Sequence, residues 1–201
     1  MYKNVIFDIG NVLLYFKPIE FLHTKIADPK KVAEVYEEVF LSEEWIMLDR
    51  GTITEKDTIE VLCGRSKENG ELVRLAFDNW YEILTPITET VEILKSLKNA
   101  RVKVYYLSNF HHLAFENVIG RYEFFKLFDG GVVSYKEKLV KPEIEIYDKI
   151  LREFDLDTAE TIFIDDTKVN IEGAEKAGIK GILFTGAEDL SKKLHECQIQ
   201  F

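Results

Sequence analysis

Polar residues of four kinds interrupt this sequence where apolar runs end or loops begin, and each kind can do ligand chemistry. Asp8 follows Val5-Ile6-Phe7, Ser108 and Asn109 follow the run from Val102 to Leu107, Lys141 precedes Pro142, and Asp165-Asp166 follow the run from Thr161 to Ile164. Asp is disfavoured inside strands and costly to bury as an ion, so Asp8 at the end of an apolar strand faces a crevice. Ligands of open α/β sheets sit at that end of the strands. A carboxylate there can attack as a nucleophile, and an adjacent carboxylate pair suits a hard cation. Taken singly, each has a plainer use. Asp8 reads as a strand-end turn, Ser108-Asn109 as a cap before Phe110, Lys141 as a loop lysine, and one of Asp165 and Asp166 as the cap of a helix near Val169.

The elements that must position these residues follow from periodicity. Residues 17–84 carry helical spacing and no convincing strand: apolar positions recur at Val32, Val35, Tyr36 and Val39, and the pattern resumes over 59–62 and 72–83. Thr54-Glu55-Lys56-Asp57 is a capping box in its weaker acidic form. From Pro86 onward, helix and strand alternate. Helices are expected near 87–97, from His112, over 144–153, over 169–177 and near Leu190; strands are expected over 102–107, 131–133, 161–164 and 181–184. Alternation of this kind implies an α/β fold, a parallel sheet with helices on both faces.

The segment Val5 to Leu14 resembles the first motif of the haloacid dehalogenase-like (HAD) hydrolases, an apolar strand followed by Asp, any residue, Asp, any residue, and Thr or Val. Asp8 matches the first Asp and Val12 the last position; Gly10 stands where most phosphatase members carry the second Asp. Ser108-Asn109 resembles the second motif, and Lys141-Pro142 with the run from Glu143 to Tyr147 the third. Asp165-Asp166, followed by Asn170, Gly173, Ala174, Ala177 and Gly178, resembles the fourth. Each fragment is weak alone, but four in order, each at a strand end or loop, are strong. The resemblance implies a Rossmann-like core, residues 1–16 and 85–201, interrupted after its first strand by a helical cap, residues 17–84.

It also implies roles. Asp8 becomes the nucleophile of an aspartyl-phosphate mechanism, and Mg²⁺ is expected on Asp8, Asp166 and the backbone carbonyl of Gly10. Asp165 stands behind them, orienting a metal water or Lys141. Ser108 and Asn109 bind the phosphoryl oxygens, and Lys141 offsets charge shared by phosphate and Asp8. Lys138 occupies a position where relatives often have Gly, which bears on the conformation of that loop. The absence of a side chain at Gly10 removes the group that in relatives protonates the leaving oxygen and activates water, a contribution of ~10²–10⁴-fold. Members with an Asp-Ile/Leu-Gly-Asn-Val first motif are associated with sugar-phosphate phosphatase activity. His111 and His112, just past the second motif, are candidates to substitute for the group absent at Gly10, but the expectation is that they are surface residues at a helix start. Trp45 and a turn formed by Asp49, Arg50, Gly51 and Thr52 are the cap's candidates for specificity, with an interhelix turn and a core Trp as the plain alternative.

Bulk properties fit these expectations. With 201 residues, 46% hydrophobic and 31% charged, the chain can bury a sizeable core as one domain or one domain with an insert. A net charge of -10, with lysines spread along helices, argues against nucleic-acid or anionic-membrane partners, which need a basic patch. Cys63 and Cys197 are far apart and lack metal-ligand spacing, and Cys63 reads as a small core residue. A chain that opens directly on a strand leaves no room for a signal peptide, so a cytoplasmic location is expected. The first expectation for function is Mg²⁺-dependent hydrolysis of a small phosphorylated metabolite, a sugar phosphate among the candidates. Two others remain open: a metal-independent 2-haloacid dehalogenase, and a catalytically impaired phosphate-binding or interaction protein.

Overall fold

The structure is a computed structural model that describes residues 2–66 and 68–201; Met1 of the expected core and Lys67 of the expected cap lie outside the described residues. Five parallel strands form one sheet in the order β3-β2-β1-β4-β5: β1 Asn4–Phe7, β2 Lys103–Ser108, β3 Gly130–Val133, β4 Thr161–Asp165 and β5 Lys180–Leu183. Between β1 and the next long helix lie α1 Pro18–Lys25, α2 Pro29–Phe40, α3 Glu43–Arg50, α4 Glu55–Arg65, α5 Gly70–Phe77 and a 3-10 segment, Trp80–Ile83. The remaining helices are α6 Thr88–Asn99, α7 His112–Arg121, α8 Ser134–Glu137, α9 Ile144–Glu153, α10 Lys168–Lys176 and α11 Ala187–Glu196.

Strand pleat divides the core into two. Val5 pairs in register with Val104 and Ile162, and all three belong to one buried cluster. Ile6 pairs with Tyr105 and Phe163, and these face the other cluster with Ile146, Ile150 and Ile171. Both faces are therefore covered, the condition under which a purely parallel sheet is stable. The chain runs outward from β1 to β2 and β3, then crosses to β4 and β5 on the other side. The ends of β1, β2 and β4 thus flank a switch point in strand order, where such sheets leave a crevice.

Several expectations are corrected. Asp49 and Arg50 do not lie in a turn; they close α3, which starts at the Ser42 cap and stops at Gly51 in the left-handed conformation, φ 69°. The helical pattern over 72–83 breaks, because Asn79 takes φ 56° and separates α5 from the 3-10 segment. Cys63, expected as a small core residue, does pack against the main core cluster, though it is only half-buried and its thiol donates to the Gly70 carbonyl. Thr54 does cap α4, accepting from the Asp57 N–H at 3.1 Å. No helix among the described residues is long and apolar enough to cross a membrane.

Candidate active site

Asp8 emerges from β1 at the C-terminal edge of the sheet, its N–H bonded to the Ile164 carbonyl at 2.8 Å, which seats it beside the end of β4. Its side chain is buried, and Oδ1 is held by three donors: the Ile9 N–H at 2.7 Å, the Ser108 hydroxyl at 2.7 Å and Lys141 Nζ at 2.8 Å. No such donor reaches Oδ2 from the described residues, so that oxygen is the freer to act. Burial pushes the Asp8 carboxyl up, to about 7, against the pull of the Lys141 charge; the carboxylate of Asp165 adds to the push.

Lys141 is buried as well, and its Nζ lies 2.6 Å from Asp165 Oδ2. Burial pulls its pKa down, but the attraction of Asp165 and Asp8 outweighs this and holds it above the ordinary range. The loop that delivers Lys141 is pinned from two sides. Asn109 accepts from the Lys141 N–H at 2.8 Å and donates to the Lys141 carbonyl at 3.1 Å, so its amide, expected on phosphate, is engaged in positioning Lys141. Behind the loop α10 packs so closely that a Cβ at Gly173 would meet the Tyr147 ring at 2.9 Å and the Pro142 carbonyl at 3.0 Å. Lys138 adopts φ 61°, the left-handed conformation that a Gly would take at no cost.

The two acidic neighbours have different surroundings. Asp165 is fully buried and saturated: besides Lys141, it accepts from the Thr167 N–H at 2.8 Å and from the Asn170 amide at 3.1 Å. Asp166 is half-buried and lines the cavity, with the Thr167 hydroxyl at 3.2 Å from its Oδ1. Burial, and then the nearby Asp165 charge, push its pKa up. Asp8, Asp165 and Asp166 each offer a carboxylate oxygen within 4.8 Å of the others. That is donor chemistry suited to a hard, oxygen-loving cation, and it fits Mg²⁺.

Above this cluster lies a cavity of about 240 Å³ whose other walls include Phe16, Trp45, Trp80, Leu84, Phe110 and Asp49. Trp45 packs against Phe40 at 4.6 Å and Trp80 at 5.2 Å between ring centres and also lines the cavity. Arg50 is not part of the lining. Its guanidinium pairs with Glu143 at 2.5 and 2.9 Å, joining α3 to the start of α9. Two further contacts tie the same stretch down: Ser134 Oγ donates to the Asp49 carbonyl at 2.5 Å, and Lys138 donates to the Gly51 carbonyl. Gly51 is required there, since a Cβ would fall 2.5 Å from the Tyr135 carbonyl oxygen. A larger open groove, about 490 Å³, lies among Lys17, Glu20 and Glu82, and none of the four motifs' polar residues reaches it.

His111 corrects the expectation of a surface residue; His112 is exposed, but His111 is only 3% exposed. Its ring packs at 4.2 Å from Trp45 and 5.2 Å from Trp80, and burial pushes it down to about 3, so it is neutral. Nε2 lies 3.3 Å from Asp49 Oδ1, off the line of a good hydrogen bond, and neither ring nitrogen has a hydrogen-bond partner. Burial pushes the Asp49 carboxyl up, to about 8. Trp80 and Phe16 carried no chemical signal in the sequence; His111 had only its place just past the second motif, and the expectation of a surface residue set it aside.

A family model for haloacid dehalogenase-like hydrolases matches residues 2–178. The chain belongs to that family. Among similar proteins, a sesquiterpene phosphatase of Aspergillus oryzae is 29% identical over 184 residues, 92% of this chain and 90% of that one. A HAD family enzyme of Bacteroides thetaiotaomicron, solved as a magnesium complex, is 25% identical with a TM-score of 0.74, covering 96% of this chain and 98% of that chain. The L-2-haloacid dehalogenase of Xanthobacter autotrophicus shares the fold, with a TM-score of 0.67 at 21% identity over 98% of this chain and 83% of that one. This HAD-like hydrolase thus has both phosphatase and dehalogenase among its likenesses, and the choice falls to the site.

Proposed function

We propose that this hydrolase cleaves small-molecule phosphomonoesters through an aspartyl-phosphate formed on Asp8, with Mg²⁺ as cofactor. The observation that carries the reading is the convergence of Asp8, Asp165 and Asp166 within 4.8 Å beside the buried Lys141. Carbon-centred attack on a haloacid needs no such acidic cluster. Asp8, Asp166 and the Gly10 carbonyl would hold the ion, which when bound offsets repulsion between a phosphate dianion and the attacking carboxylate. Asp165, with both oxygens already engaged, orients Lys141. Asp8 Oδ2 attacks phosphorus while the Ser108 hydroxyl and the Lys141 ammonium stabilise the phosphoryl oxygens in a water-poor site.

The helical insert, residues 17–84, acts in this reading as a cap that encloses the substrate's leaving group. The wall that its Trp45 and Trp80 form with Phe16 of the core favours the phosphate of an apolar alcohol over the sugar phosphate suggested by the first motif. The similarity to a sesquiterpene phosphatase supports the same direction. The test is release of inorganic phosphate from prenyl, aryl and sugar monophosphates, with Mg²⁺ and with chelator, beside halide release from 2-haloacids. Metal-dependent phosphate release, strongest for the prenyl esters, is expected; halide release that survives chelation would replace the reading with a dehalogenase.

A further inference from the structure

Phosphate ester cleavage leaves an alkoxide that must be protonated, and the water that clears the phospho-enzyme must lose a proton. Position 10 supplies neither service. A Cβ built on Gly10 would meet nothing within 4 Å, so the space for a side chain there is open and unfilled. Three carboxylates line the cavity: Asp8, Asp166 and Asp49. On the reading above, the first is the nucleophile and the second a metal ligand, which leaves Asp49 without a role.

Asp49 arrives from the insert, on the side where a leaving group must lie. It stands four residues after Trp45 on α3, so the two share one face of the helix and both line the cavity. Its backbone is fixed to the core through Ser134, whose hydroxyl donates to the Asp49 carbonyl at 2.5 Å and accepts the Phe110 N–H at 2.9 Å. Arg50 and Gly51 add their own bonds to Glu143 and Lys138. On its other side is His111 at 3.3 Å, a buried imidazole with no hydrogen-bond partner on either nitrogen. A buried polar ring is normally satisfied, and leaving one unpaired is costly. Among the described residues, Asp49 is the one carboxylate within ion-pair distance of the His111 ring.

We propose that Asp49 is the proton donor and acceptor of this active site, taking the role that Gly10 vacates, and that His111 is the residue that positions it. This rests on the phosphatase reading of the same site. In the first step Asp8 Oδ2 forms its bond to phosphorus as the ester P–O bond breaks. That bond's electron pair goes to the leaving oxygen, which takes the proton of the Asp49 carboxyl and departs as the alcohol. In the second, water attacks phosphorus and gives its proton to the Asp49 carboxylate; the P–O bond to Asp8 breaks, its electrons return to the Asp8 carboxylate, and inorganic phosphate leaves.

Leaving-group dependence tests this in the full chain with Mg²⁺. For Asp49→Asn, phosphate release from alkyl esters should fall ~10²–10⁴-fold. The burst of p-nitrophenolate from p-nitrophenyl phosphate should keep a rate near the parent's, since that anion departs without a proton. Adding Gly10→Asp to Asp49→Asn should restore a good part of the alkyl rate, which also shows that the variant is folded. His111→Phe should lower alkyl turnover with the same selectivity, and His111→Gln, which keeps a polar group toward Asp49, should lower it less. Equal loss on alkyl and aryl esters in Asp49→Asn, with no recovery from Gly10→Asp, would overturn the assignment while leaving the phosphatase reading intact. A parent protein that releases phosphate from no ester would overturn both.

Discussion

Lys141 donates to Asp165 across 2.6 Å while both side chains lie out of solvent, 2% and 0% exposed. Removing one member of a buried pair leaves the other charge uncompensated, at a cost of about 3–5 kcal/mol. Asp165→Ala should therefore lower stability by that order in urea unfolding. Asp166, half-buried and with the Thr167 hydroxyl at 3.2 Å from its Oδ1, should cost much less as Ala. In metal titrations of phosphate release the order should reverse, with Asp166→Ala needing far more Mg²⁺. Equal metal sensitivity in the two variants would mean that the carboxylates' roles are wrongly divided.

Asp8→Asn should abolish turnover without unfolding the chain. The amide keeps the shape of the carboxylate but cannot form the acyl phosphate, and the strand pairing that seats residue 8 runs through the backbone. Residual phosphate release above a few percent of the parent rate, in a variant that melts like the parent, would remove Asp8 from the mechanism. Chelation of Mg²⁺ in the parent should reproduce the same loss.

The sheet and the chemistry-bearing ends of its strands were legible because parallel strands buried on both faces are near-continuous apolar runs. A carboxylate or Ser-Asn at the end of such a run stands out. Asp8, Ser108 and the acidic pair were singled out in this way, whereas Lys141, which ends no such run, stood out only through the resemblance of Lys141-Pro142 to the third motif. The far wall was not legible for a physical reason: Trp45, Trp80 and His111 meet only when α3, the 3-10 segment and the loop before α7 come together, and no local spacing encodes that meeting. His111 shows the difference most sharply. A His beside a helix start reads as solvent-exposed, yet the insert closes over it. Asn109 shows a second limit, since the motif that suggested phosphate binding says nothing of the two bonds that tie its amide to the Lys141 backbone.

Arg50 and Glu143 should matter more for catalysis than for stability. Their side chains are 30% and 36% exposed, a setting in which an ion pair contributes about 0.2–1 kcal/mol. Arg50→Ala should move the urea midpoint little. The same pair helps hold the end of α3 against the core, so its loss should let Asp49 and Trp45 drift and reduce kcat/KM by roughly tenfold, a loss of ~1.4 kcal/mol in transition-state binding. Steady-state kinetics on a prenyl or aryl phosphate, set beside a denaturation curve, separate the two effects. A large stability loss with unchanged kcat/KM would show that the pair is structural only.

The last prediction concerns acid. His111 takes up protons near its ordinary 6.5 when the chain is unfolded, but only near 3 when burial surrounds it with Trp45 and Trp80. Between those values the unfolded state binds the proton that the folded state refuses, so His111 makes stability rise with pH, and the contribution is lost as pH falls from 6.5 toward 3. The slope is about 1.4 kcal/mol per pH unit where the window is fully open. Asp49 acts in the opposite sense: its carboxyl keeps a proton up to about 8 when folded, against 3.8 when unfolded, so its contribution falls as pH rises between those values. The two slopes oppose each other over much of the acid range, and the parent's own profile reveals neither. His111→Phe isolates one of them. The ring contacts are kept in kind, the unpartnered nitrogens disappear, and stability near neutrality should hold or improve by about 1 kcal/mol. Subtracting the parent's urea stability from that of the variant, from pH 7 down to 4, should give a difference that widens in the variant's favour with each step toward acid. A difference that stays flat would mean that His111 is protonated as readily in the folded chain as in the unfolded one, and that the insert leaves it open to water.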